Sequence, residues 1–106
     1  MKRRTGVTAV LLIGTIAVSL AACEAGSRGA TVFQQNQCIQ CHTIKGKGGA
    51  VGPNLTTVGS RRSRDYIIQQ IKNPSSHNPD TAMPSFAGKM PEQDINDLAD
   101  YLSSLK

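Results

Sequence analysis

Cys38-Ile39-Gln40-Cys41-His42 decides how the rest of the chain is read. Two cysteines three positions apart, with a histidine directly after the second, have the spacing of a c-type haem attachment site. On one helical turn the side chains at i and i+3 face the same way. Both thiols can then reach the two vinyl groups on one edge of a porphyrin and form thioethers. His42 follows beneath the ring, where an imidazole nitrogen can bind the iron from the proximal side. Other uses of C-x-x-C fit less well. A zinc site wants four ligands, and beyond His42 only His77 and the distant Cys23 are on offer. A thioredoxin-like pair wants a βαβ setting, which the flanking sequence lacks. The motif therefore reads as one haem c, covalent through Cys38 and Cys41.

The chain has 106 residues, room for one small domain. Its beginning has the layout of a secretory signal. Lys2, Arg3 and Arg4 precede an apolar stretch, Val7 to Ala22, interrupted by Thr8, Thr15 and Ser19. That stretch falls short of the about 20 apolar residues of a comfortable membrane span. Leu20-Ala21-Ala22-Cys23 resembles the lipobox of bacterial lipoproteins, whose cysteine is lipidated and becomes the new N-terminus. The odd cysteine of an exported chain needs such a separate explanation. The expected organisation is a lipoprotein signal peptide over residues 1–22, a lipidated Cys23 with a short tether over 23–28, and a domain over 29–106. The five residues after Cys23 span at most about 17 Å, so the lipid would hold the domain at the membrane surface, facing the periplasm or the outer side of a bacterial cytoplasmic membrane.

The formal net charge of +5 is mostly a property of that signal. Without residues 1–22, nine Lys and Arg face seven Asp and Glu, and two haem propionates nearly cancel the remainder. The charge therefore gives no argument for nucleic-acid binding. With no Trp, two Tyr and two Phe, the domain has little core of its own, and domains this small usually need a staple. A covalent haem would be one, so the haem-free chain is expected to be largely unfolded.

The patterning predicts three helices and no strand. The first runs from Arg28 to Cys41, with Gly29, Phe33 and Gln37 at i+4 steps and Val32 beside them. Gly46, Gly48, Gly49 and Gly52 make a flexible connection without the order of a phosphate loop. Ser63 is the expected N-cap of a middle helix that stops at Asn73-Pro74. Tyr66, Ile67, Ile68 and Ile71 are its apolar side. Residues 75–84 read as irregular loop. The last helix spans Pro91 to Leu105, with Pro91 at the first helical position. Ile95, Leu98, Ala99, Leu102 and Leu105 form its stripe, and Asp94, Asp97 and Asp100 lie off it. Basic residues gather in 45–72 and acidic ones in 80–100; a basic rim could steer an acidic partner.

The other face of the iron has Met83, Met90 and His77 as candidates, and a thioether would raise the potential. Met83 sits in a loop with Thr81, Ala82, Pro84 and Ser85, where an apolar side chain has little other purpose. Met90 abuts the last helix, where it is expected to pack as in a hydrophobic staple. Met83 is the expected ligand, with Met90 as the alternative and no role for His77.

Taken together, the chain from Gly29 to Leu105 resembles the class I cytochromes c, particularly small bacterial mono-haem ones. The resemblance rests on Gly29-x-x-x-Phe33, Cys38-x-x-Cys41-His42, Gly52-Pro53-Asn54-Leu55, and Met83-Pro84-Ser85-Phe86 ahead of a helix holding Tyr101-Leu102. It implies an all-α fold of three main helices around one covalent haem, the first and last crossing with Gly29 and Phe33 against Tyr101. It implies that the Pro53 carbonyl accepts from His42, that Leu55 packs on the haem, and that Arg61 lies near a propionate. With the lipid on Cys23 and both faces of the iron filled, the expected function is that of a monomeric electron carrier exchanging with redox proteins at the membrane, and no enzyme. The alternative is a haem-based sensor or ligand-binding protein with a labile distal ligand. Pro91 and Met90 depart from the resemblance, which usually shows Ser or Thr and leucine there.

Overall fold

In the computed structural model the described residues are 6, 9–11, 13–15 and 21–106, with side chains described from Arg28 onward and at the isolated positions before Ala21. Most of the expected signal peptide, and the side chain of Cys23, lie outside them. Among the described residues no helix is long and apolar enough to cross a membrane.

Helix α1, Ala21–Gln35, begins ahead of Arg28 and takes in the stretch read as a tether. It also ends before the expected Cys41. Gln37 turns left-handed at φ 60 and ψ 24, which breaks the helix, and Cys38–Gln40 continues as a 3-10 turn. In that tighter winding side chains at i and i+3 eclipse, so Cys38 and Cys41 still share a side. The N–H groups of Cys41 and His42 both donate to the Cys38 carbonyl, at 3.2 and 2.9 Å.

The glycine-rich connection is more ordered than its composition suggests. Strands β1 (Thr43–Ile44) and β2 (Lys47–Gly48) pair antiparallel, Thr43 opposite Gly48 and Ile44 opposite Lys47. The two turn residues, Lys45 and Gly46, have φ of 51 and 78, as a tight hairpin turn of the primed type requires. This corrects the expectation of no strand.

Helix α2 is a single turn, Val58–Arg61, and α3 spans Arg64–Lys72. The Ser63 side chain accepts the Tyr66 N–H at 3.1 Å and caps α3, which ends at Asn73 ahead of a 3-10 turn, Pro74–Ser76. Helix α4, Glu92–Ser104, starts one residue later than expected. Pro91 stands at its N-cap with φ −55 and ψ 143, so the proline closes the preceding loop and does not open the first turn. Glu92 and Asp94 lie in that turn, where they complement the helix dipole.

The core gathers Val32 and Phe33 of α1, Ile67 and Ile71 of α3, and Ile95, Leu98, Ala99 and Leu102 of α4, with Ile44, Val58, Met90 and Leu105 closing it. Helices α1 and α4 cross at Gly29, where any Cβ would collide with the Asp97 carbonyl oxygen and the Tyr101 Cβ. One turn on, Phe33 and Tyr101 meet edge to face, centroids 6.4 Å apart. Asp97 is not on a wet face. It is buried at 5% exposure, drawn in by the crossing, with Gln93 Nε2 donating to Oδ1 at 3.0 Å and Arg28 at 3.2 Å from Oδ2.

The basic stretch over 45–72 and the acidic stretch over 80–100 partly meet. Arg64 pairs with Asp100 at 2.6 Å and Lys72 with Glu92 at 2.7 Å, both between α3 and α4. Exposed pairs of this kind contribute at most about 1 kcal/mol each.

Candidate functional site

The 3-10 turn, the segment after β2 and the loop after α3 enclose one cleft of about 490 Å³. Cys38, Cys41 and His42 form one wall, and Met83 lies in the facing loop with Ala82, Pro84 and Phe86; Val51 and Pro53 add further apolar surface. Cys38 and Cys41 are not joined to each other in a disulfide. Burial pushes the Cys38 thiol above its ordinary pKa; a backbone hydrogen bond opposes this and the neighbouring Cys41 adds to it.

His42 is fixed from two directions. Its Nδ1 lies 2.8 Å from the Pro53 carbonyl oxygen. That oxygen can only accept, so Nδ1 carries the proton and Nε2 keeps the lone pair that binds a metal. Gly52 presses on the ring, and a Cβ there would come within 2.6 Å of Cε1. Only glycine leaves room for the imidazole at this angle. The Gly52 N–H donates to the Cys41 carbonyl at 2.7 Å, which ties this segment back to the motif.

The two methionines are separated. Met83 is half-buried and lines the cleft, its loop tied to the end of α3 by the Phe86 N–H donating to the Ile71 carbonyl at 3.1 Å. Met90 is 5% exposed within the hydrophobic core and its N–H donates to the Phe86 carbonyl. Pro53 belongs to the cleft wall, whereas Leu55 and Arg61 do not line it. Leu55 packs against the core. Arg61 donates to the Asn54 carbonyl at 2.7 Å, bracing the segment that carries Pro53.

Sequence reasoning missed a second layer behind Met83. Gln70 of α3 sets its Nε2 3.4 Å from the Met83 sulfur and its Oε1 2.7 Å from His77 Nδ1. A signal for Gln70 existed: it follows Tyr66 by four residues on the side of α3 that carries Ile67 and Ile71.

Two thiols, an imidazole with a free Nε2 and a thioether around an apolar cleft suit a flat iron porphyrin. Among the described residues no three of His, Cys, Asp and Glu form a group that could hold a metal ion without such a cofactor.

Comparison with known proteins agrees. The family described as "Cytochrome c" matches residues 26–106. The chain is 34% identical over 88 residues to cytochrome c oxidase subunit 2 of Alkalihalophilus pseudofirmus, covering 76% of this chain and 25% of that one. It is 32% identical over 85 residues to a nitric oxide reductase subunit of Stutzerimonas stutzeri, covering 74% and 57%. It therefore spans about a quarter and little more than half of those two relatives. Cytochrome c6 of Thermosynechococcus vestitus is 32% identical over 108 aligned positions, covering 95% of this chain and 89% of the relative.

Proposed function

Because the chain belongs to the cytochrome c family, whose single haem c is bound covalently through cysteines, we propose that it carries single electrons on a haem ligated by His42 and Met83. When bound, the haem supplies an iron that takes up and releases one electron. Cys38 and Cys41 would hold it as thioethers. His42 presents Nε2 while the Pro53 carbonyl keeps the ring oriented and raises its basicity.

One observation carries the choice of ligand: Met83 shares the cleft with Cys38, Cys41 and His42, while Met90 is committed to the core. With His42 and Met83 both committed to a bound iron, the site would offer substrate no open ligand position, which favours a carrier over an enzyme. The bond from Gln70 to the sulfur and the tie from Phe86 to α3 hold the Met83 loop in place. Both weigh against a labile distal ligand.

The protein works at the extracytoplasmic membrane surface, anchored by a lipid on Cys23 and exchanging electrons with a redox protein. The lipobox-like Leu20-Ala21-Ala22-Cys23 supports the anchor. Relatives named as subunits of an oxidase and a reductase support the class of partner. The test is a spectrum and redox titration of the haem-loaded protein beside Met83→Ala. Loss of the methionine-to-iron charge-transfer band in the variant supports the assignment, and its persistence overturns it.

A further inference from the structure

A carboxamide has a donor end and an acceptor end, and the two look alike in shape. At Gln70 the difference matters. Its Nε2 lies 3.4 Å from the Met83 sulfur, a weak acceptor that an N–H can approach. Turned over, the amide would set its oxygen lone pairs against those of the sulfur, and the contact would become repulsive. Something has to choose between the two orientations, and α3 itself does not.

His77 can make that choice. Its Nδ1 is 2.7 Å from Gln70 Oε1; in the form of the ring that carries its proton on Nδ1, only the oxygen end of the amide can face it. The imidazole is itself held. It lies flat on the Tyr66 ring, centroids 3.9 Å apart and planes within 4°. The Arg62 guanidinium carbon sits 4.3 Å from the same centroid. Two groups so close cannot share one face, so Tyr66 is sandwiched between Arg62 and His77. The order runs Arg62, Tyr66, His77, Gln70, Met83.

We propose that His77 is a positioning residue for the sulfur ligand, fixing the Gln70 amide so that its N–H, and not its oxygen, faces Met83. This rests on Met83 binding the iron. A hydrogen bond to the thioether draws electron density from the sulfur. Ferric iron needs that density more than ferrous iron does, so the bond favours the reduced state and raises the potential.

The test uses the haem-loaded protein and five variants, each read by redox titration at one pH and by the ferric charge-transfer band. His77→Phe keeps a ring on Tyr66 and removes the donor; its potential should fall while the band remains. His77→Asn puts an amide N–H near the position of Nδ1 and should restore most of the parent potential. In a Gln70→Leu background, His77→Phe should change nothing further, because the intermediary is gone. An unchanged potential in His77→Phe, or an equal drop with and without Gln70, overturns the proposal. If His77→Phe fails to take up haem, His77→Asn decides: a potential as low as that of Gln70→Leu also overturns it. Met83→Ala separates the two levels. A band that survives there removes the ligand assignment itself, whereas a band lost there with an unmoved His77→Phe potential removes only the role of His77.

Discussion

The Nδ1 of His42 lies 2.8 Å from the carbonyl oxygen of Pro53. An oxygen on the main chain cannot be removed by substitution, but Gly52 beside it offers a lever. Gly52→Ala would drive a methyl into the imidazole, tilting the ring off the Pro53 oxygen. With less basic imidazole behind the iron, the ferric state is less favoured. The potential of Gly52→Ala should rise while the methionine band persists. A potential equal to or below the parent's would contradict this account of the bond.

Met83 and Met90 should separate cleanly by measurement. Met83→Ala should lose the charge-transfer band, bind carbon monoxide in the ferrous form and show a lower potential. Met90→Ala should keep the band and lose stability, by about 2–5 kcal/mol for a methionine deleted from a packed core. Denaturant unfolding of the two loaded variants checks the contrast.

Gly29→Ala tests the helix crossing. The Asp97 carbonyl and the Tyr101 Cβ that meet the new methyl are backbone or nearly so, and cannot swing aside as a long side chain would. The cost should be at least about 1–3 kcal/mol, read as a lower denaturation midpoint with an unchanged visible spectrum. A variant as stable as the parent would mean the helices are free to part.

Thiol chemistry can report on the haem-free chain. In the folded arrangement burial raises the pKa of Cys38, so its reactive thiolate is scarce until the pH climbs past that raised value. The same shift makes any folded haem-free form lose stability as pH rises through the unfolded thiol range toward the folded one. If the chain without haem is largely unfolded, as its small core suggests, Cys38 and Cys41 should alkylate at matching rates near neutral pH. A lagging Cys38 would reveal a folded haem-free state.

Ionic strength should affect exchange with an acidic redox partner through Lys45 and Lys47, and not through Arg64. Arg64 is already paired with Asp100. Lys45→Gln with Lys47→Gln should flatten the fall of rate with salt, while Arg64→Gln should leave that slope alone. Equal slopes in all three proteins would remove these lysines from the encounter.

Local chemistry told most about α3: the Ser63 hydroxyl cap and the Asn73-Pro74 stop are both where their side chains and missing N–H require. The motif segment was legible in function but not in conformation. A cysteine pair at i and i+3 shares a side in an α-helix and in a 3-10 turn alike, and glutamine carries no special preference for the left-handed φ found at Gln37. Asp97 misled because a charged residue off an apolar stripe ordinarily faces water; here the approach of α1 at Gly29 covers it. His77 could not be read at all. Its stack on Tyr66 joins an irregular loop to a helix face, and no periodicity links the two.

The crossing of α1 and α4 at Gly29 joins nearly the two ends of the domain, so Cys38, Cys41 and His42 lie inside the loop that it closes. If the chain without haem is largely unfolded, that loop is still open when the sulfur–vinyl bonds are made, and whatever catalyses them meets an accessible polypeptide. Docking of the C-terminal helix would then seal a finished attachment.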